Sequence, residues 1–156
     1  SLFYFRVPCV VAAASPQRGP EAGESAREDL SGLCVLVAED NAVNMKVVTR
    51  LLERRGVTVI GAANGIEAVG EWRRSRPDIV LMDLQMPEMD GLSATKIIRS
   101  EERGNRRVPI IAVTAHAVDG YREKCSEAGM DGYLTKPLRE SDLLREIETV
   151  QSLRTR

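Results

Sequence analysis

The chain has 156 residues, a formal net charge of −1, three cysteines and one histidine. At 43% hydrophobic and 29% charged it carries enough apolar material for a folded domain, which excludes a disordered chain, and a net charge near zero argues against sequence-independent binding to nucleic acid. The lone His116 excludes a zinc site with two histidine ligands and a relay between histidines of this chain. Cys9, Cys34 and Cys125 are far apart and odd in number, which fits a reducing, cytoplasmic compartment rather than a disulfide scaffold. No apolar run reaches the roughly 18–20 residues that a membrane span needs.

Taken in order, Leu2–Val7 reads as a strand ended by Pro8, and residues up to about 30, rich in Ala, Pro, Gly, Ser, Glu and Arg, read as a flexible linker. A compact domain is expected over residues 31–153. It opens with a buried strand at Leu33–Ala38. Asn41 then caps a helix over Ala42–Arg55, with Val43, Val47, Val48, Leu51 and Leu52 as one apolar stripe, stopped by Gly56. A strand at Val57–Gly61 and a helix over Gly65–Arg74 capped by Asn64 come next. Asp78–Met82 is a third strand, Gly91–Glu102 a helix, and Pro109–Val113 a fourth strand. A polar helix over Asp119–Ala128 ends at Gly129, Tyr133–Thr135 is a short fifth strand, and Ser141 caps a last helix with Leu143, Leu144, Ile147 and Val150 inward. Five strands alternating with five helices predict an α/β fold, a doubly wound parallel sheet with helices on both faces. Ligand groups in such folds gather where the strands end.

Four polar sites fall at strand ends: Glu39-Asp40-Asn41, Asp83, Thr114 followed by Ala115 and His116, and Lys136 followed by Pro137. Three carboxylates brought together repel unless a cation sits among them, and an all-oxygen donor set suits Mg²⁺. A carboxylate can also act as a nucleophile toward phosphorus, and Asp83, alone on the central strand, is the candidate. Phosphoryl transfer needs positioning and neutralisation of the equatorial oxygens, which Mg²⁺, a Lys ammonium and a Thr hydroxyl supply.

The segments VLVAEDNAVN (35–44), DIVLMDLQMPEMDG (78–91), PIIAVTAHA (109–117) and EAGMDGYLTKPL (127–138) resemble the response-regulator receiver domains of two-component signalling. The resemblance spans about Leu33 to Leu153 and implies a flavodoxin-like strand order, 2-1-3-4-5. It implies that Asp83 accepts a phosphoryl group from a phosphohistidine of a histidine kinase or a histidine phosphotransfer protein. Asp40 and Asp83 would bind Mg²⁺, Glu39 would do so directly or through water, and the main-chain carbonyl of Gln85 would complete the protein ligands. Lys136 would pair with a phosphoryl oxygen. Thr114 and Tyr133 would form the switch, and Pro137 would follow a cis peptide bond. Gln85 and His116 occupy positions that tune hydrolysis, and bulk there implies a long-lived phosphoryl state. Glu39 stands where Asp is more frequent. The Glu-Asp-Asn form followed by Asn44 resembles receivers fused to hybrid sensor kinases.

The isolated domain would be a stoichiometric, self-promoting switch rather than a turnover enzyme, with its parent chain a histidine kinase. The alternative is a haloacid-dehalogenase-like, Mg²⁺-dependent phosphatase, but that family places its nucleophile after the first strand with a second Asp two residues on, and here Ala42 holds that place. A flavodoxin-like redox module is disfavoured because Glu39 and Asp40 would repel a flavin phosphate. Plainer readings remain for single residues: Tyr133 as a packed aromatic, His116 as an exposed bystander, and the pairs Arg73-Arg74 and Arg106-Arg107 as solvated faces. Residues 1–8, Ser-Leu-Phe-Tyr-Phe-Arg-Val-Pro, resemble the last strand of a histidine-kinase ATPase domain. With the linker they suggest the tail of a hybrid kinase, placed at the cytoplasmic face of the membrane if the parent is anchored there.

Overall fold

The computed structural model describes residues 30–104, 106–115 and 119–154. The expectations for residues 1–29 and for His116 lie outside them. Strands β1 (Cys34–Ala38), β2 (Thr58–Ala62), β3 (Ile79–Asp83), β4 (Ile110–Thr114) and β5 (Gly132–Thr135) alternate with helices α1 (Ala42–Glu53), α2 (Gly65–Ser75), α3 (Gly91–Glu101), α4 (Asp119–Glu127) and α5 (Glu140–Arg154). All strand pairs are parallel and the order is β2-β1-β3-β4-β5. The ten elements expected between Leu33 and Leu153 are all present, with boundaries shifted by a residue or two.

The sheet is central because β1, β3 and β4 are apolar on both faces. Every residue of β3 and β4 is buried, and each aliphatic side chain so buried contributes roughly 1.5–3 kcal/mol. Leu36, Val80, Met82, Ile110 and Ala112 pack toward Ala68, Val69, Ala94 and Ile98 of α2 and α3. Their neighbours Val35, Val37, Leu81, Ile111 and Val113 pack on the opposite face with Val48 and Leu52 of α1 and with Leu143, Ile147 and Val150 of α5.

Local chemistry sets the helix starts. Asn41 accepts hydrogen bonds from the amides of Val43 and Asn44, Asn64 accepts from Glu67, and Asp90 accepts from Ser93. Gly91 is required by close approach: a Cβ there would lie 2.1 Å from the carbonyl oxygen of Asp83. The start of α3 can therefore fold tightly beneath the end of β3. Arg76 ends α2 in a left-handed conformation, φ 48°, where glycine is usual and a side chain costs about 1–2 kcal/mol.

Two expectations need correction. Val43 and Val47 do not face the core; they are 69% and 48% exposed. The core-facing row of α1 is Met45, Val48 and Leu52, three and four residues apart. Val43 and Val47 form a second row, rotated toward solvent. Ser141 does not cap α5, which begins at Glu140, because the amide of Leu143 already bonds to the carbonyl of Arg139 (3.0 Å). No helix among the described residues is long and apolar enough to cross a membrane.

Candidate functional site: an acidic pocket at the carboxyl end of the sheet

Parallel strands all present their last residues at one edge. Asp83 is the final residue of the central strand, and it is only 4% exposed. On one side β1 runs out into Glu39, also 4% exposed, and then into exposed Asp40. Carboxylate oxygens of Glu39, Asp40 and Asp83 all lie within 4.8 Å of one another. On the other side β4 ends in buried Thr114, and β5 leads into Lys136. The register locks this geometry, since Thr114 pairs with Thr135 and the Lys136 amide donates to the Thr114 carbonyl (2.7 Å). The Lys136–Pro137 peptide bond is cis, as the resemblance implied.

Lys136 neutralises part of the acidic cluster. Its ammonium lies 2.5 Å from Asp83 Oδ2 and 2.6 Å from Glu39 Oε2. Burial works against the charged ammonium, but hydrogen bonds and attraction from Asp83 and Glu39 outweigh it and raise the Lys136 pKa above its ordinary value. One cation against three carboxylates leaves the pocket short of positive charge. Its donors are hard oxygens, and two of the three carboxylates are nearly withdrawn from water, so the residues fit a divalent cation of the Mg²⁺ type.

Both carboxylates are oriented by the backbone that follows them. Asp83 Oδ1 accepts from the amide of Gln85 (2.9 Å), leaving Oδ2 to Lys136. Glu39 Oε1 accepts from the Asn41 amide (3.2 Å) and from Asn44 Nδ2 (3.1 Å). Asn44 is thus a positioning residue that the sequence reading noted only as part of a pattern. The signal was there: Asn44 lies one turn into a helix that begins directly beneath Glu39. The side chain of Gln85 is exposed beside the pocket.

Thr114 and Tyr133 meet, with a hydrogen bond between their side chains. Burial raises the Tyr133 pKa, and the guanidinium of Arg122 stands over the ring, 5.7 Å from its centroid. Beyond the rim of the pocket, Val43 and Val47 on α1 and Ile66 at the start of α2 are exposed aliphatics, a feature that reading the α1 stripe as core had hidden.

Residues 35–148 match the family model of the response regulator receiver domain. The chain is 45% identical over 113 residues to the peroxide stress-activated histidine kinase mak1 of Schizosaccharomyces pombe, covering 69% of this chain and 7% of that kinase. It is 41% identical to the polar-differentiation response regulator DivK of Brucella anthropi, over 76% of this chain and 93% of DivK. Among solved structures it resembles the receiver domain of the sensor histidine kinase PA1611 from Pseudomonas aeruginosa, which has a magnesium ion coordinated in its active site cleft (46% identity, TM-score 0.70, 76% of this chain and 97% of that one). It also resembles a complex of the Saccharomyces cerevisiae phosphotransfer protein Ypd1 with the receiver domain of Ssk1 (31% identity, TM-score 0.68, 74% and 86%). These matches do not favour the phosphatase alternative. An acidic, Mg²⁺-binding pocket at the carboxyl end of a 2-1-3-4-5 sheet and a family match over residues 35–148 lead to one conclusion: the chain belongs to the response-regulator receiver family and is a receiver domain of two-component phosphorelay signalling.

Proposed function

We propose that Asp83 is the phospho-acceptor and that the donor is a phosphohistidine of a histidine kinase or histidine phosphotransfer protein outside this chain. The observation that carries this reading is the buried Asp83 carboxylate at the end of the central strand, with Lys136 at 2.5 Å and two further carboxylates within 4.8 Å. A carboxylate oxygen of Asp83 attacks phosphorus, an O–P bond forms, and the N–P bond to the donor imidazole breaks. The electron pair of that bond leaves with the imidazole. Lys136, released from its carboxylate pairing, follows the charge onto a phosphoryl oxygen, and Thr114 donates its hydroxyl to another. Glu39, Asp40, Asp83 and the carbonyl of Gln85 are the residues that would hold Mg²⁺. When bound, the ion neutralises the acidic cluster and the phosphoryl oxygens.

Once Thr114 turns toward the phosphoryl group, its hydrogen bond to Tyr133 is broken, and the aromatic ring is free to move. The α4–β5–α5 face thereby becomes the output surface, a two-state element biased by one covalent change. Exposed Val43 and Val47, one turn apart on α1 where it leaves the acidic mouth, suit docking of the donor, because apolar side chains there exclude water around the transfer. The bulk of Gln85 and His116 favours a phosphoryl lifetime of minutes or longer.

We assign the folded domain to residues 31–153, and the sequence of residues 1–8 resembles the last strand of a histidine-kinase ATPase domain. In this reading the parent is a hybrid sensor kinase, and the domain is cytoplasmic, at the cytoplasmic face of the membrane if the parent is anchored there. The test is to incubate the chain with Mg²⁺ and acetyl phosphate, or with a phosphorylated donor, and to weigh it intact. One added phosphoryl group, absent in Asp83→Asn, supports the reading. No gain with a competent donor refutes it.

A further inference from the structure

The amino end of the sheet carries a feature that phosphoryl transfer does not use. A cleft of about 320 Å³ opens between the carboxyl ends of α2 and α3 and the segment leading into β4. Trp72 lines it together with five arginines, Arg73, Arg76, Arg103, Arg106 and Arg107. Two glutamates also reach it, but both are committed. Glu101 pairs with Arg73, and Glu102 pairs with Arg99 while accepting from the Val108 amide. Arg107 is held by Asp131. Among the described residues, Arg76, Arg103 and Arg106 have no carboxylate partner. All three are exposed. A chain of net charge −1 thus concentrates an excess of positive charge in one concavity.

The residue types narrow the ligand. Only arginines supply the cations, and a guanidinium fork matches two phosphate oxygens at once, which an ammonium does not. Trp72 is half-buried against the core of the α2–α3 face, so its indole is a fixed wall rather than a mobile side chain. A planar apolar wall beside unpaired guanidiniums suits a molecule with an aromatic ring at one end and phosphates at the other. The volume is at the small end of the range for small-molecule sites.

We propose that this cleft binds a nucleotide, with the base against Trp72 and the phosphates on Arg76, Arg103 and Arg106. The site lies at the opposite end of the sheet from Asp83, so nucleotide binding and phosphorylation do not compete for the same groups.

Trp72 is the only tryptophan of the chain, and its fluorescence reports on the cleft directly. The full chain is titrated with ADP, GDP and inorganic pyrophosphate at physiological ionic strength, with calorimetry in parallel. The expected result is saturable quenching by at least one nucleotide, with pyrophosphate binding at least about tenfold more weakly. In the Arg103→Ala/Arg106→Ala variant the affinity falls at least about tenfold, while acetyl phosphate still phosphorylates Asp83. The proposal is overturned if neither nucleotide saturates below about 5 mM. It is also overturned if pyrophosphate binds as tightly as the nucleotides, which would make the cleft an unselective anion patch, or if the variant binds like the parent.

Discussion

Two charge clusters, the pocket around Asp83 and the network around Arg99, handle charge in opposite ways. At the carboxyl end, three carboxylates face a single ammonium, and two of those carboxylates are almost withdrawn from water. Near the amino ends of β4 and β5, Arg99 sits between Glu102 (2.7 Å) and Asp131 (2.7 Å), and its Nε donates to the carbonyl of Gly129 (2.8 Å). Asp131 in turn accepts from Arg107 and from the Ile110 amide, and Glu102 from the Val108 amide. Burial lowers the Arg99 pKa, and the attraction of Asp131 and Glu102 opposes it. The first cluster leaves a deficit of positive charge that an incoming cation can fill. The second uses each charge to fix backbone at the start of a strand. Charge left uncompensated is available for chemistry, whereas charge matched and tied to the main chain holds the fold.

That contrast can be broken from either cluster. The largest effect is expected at Asp83: Asp83→Asn abolishes phosphoryl uptake, read as the missing mass gain, while circular dichroism stays native. Removing one of three crowded carboxylates leaves stability unchanged or raised. Next is Lys136→Ala, which strips the sole ammonium from Glu39 and Asp83. It should lower phosphorylation by acetyl phosphate at least about 100-fold and destabilise the domain by roughly 1–3 kcal/mol in denaturant titration. Saturating Mg²⁺ should restore part of that stability, since a divalent ion replaces the missing charge. A variant that stays fully active would place Lys136 outside the mechanism.

In the other cluster Asp131→Asn is expected to cost about 2–3 kcal/mol, because Arg99 and Arg107 lose their shared carboxylate. Its rate of phosphorylation should be that of the parent. Loss of acceptance at native stability would erase the distinction between the two clusters. Val47→Ser should slow transfer from a phosphohistidine donor several-fold, a change of about 1 kcal/mol, and leave acetyl phosphate kinetics alone. The smallest effect is Tyr133→Phe, which removes the hydroxyl bonded to Thr114 at a cost of about 0.5–1.5 kcal/mol. Phosphorylation persists in that variant, and the change appears in the chemical-shift response of α4 and β5 to phosphorylation.

Much of this was legible in the chain. Continuous apolar runs as short as Ile79–Met82, bounded by polar residues, read as strands covered on both faces, and the caps Asn41 and Asn64 announce their helices. Because a parallel sheet sends every strand end to the same edge, the sequence alone gathers Glu39, Asp40, Asp83, Thr114 and Lys136 into one pocket. Periodicity was less decisive for α1. Two apolar rows fit the same helix, and spacing alone does not say that the row of Met45, Val48 and Leu52 turns inward while Val43 and Val47 turn out.

By itself, then, the sequence determined the alternation of elements, the family and the membership of the acidic pocket, because those follow from local patterning and from the rule that parallel strands end together. Only the tertiary structure decided which helix face meets solvent and how Asn44 holds Glu39. It also brought together arginines from two separate stretches around Trp72, residues that look like unrelated solvated faces along the chain. The reason is physical: burial and charge compensation are sums over neighbours distant in sequence, and no local pattern records who those neighbours are.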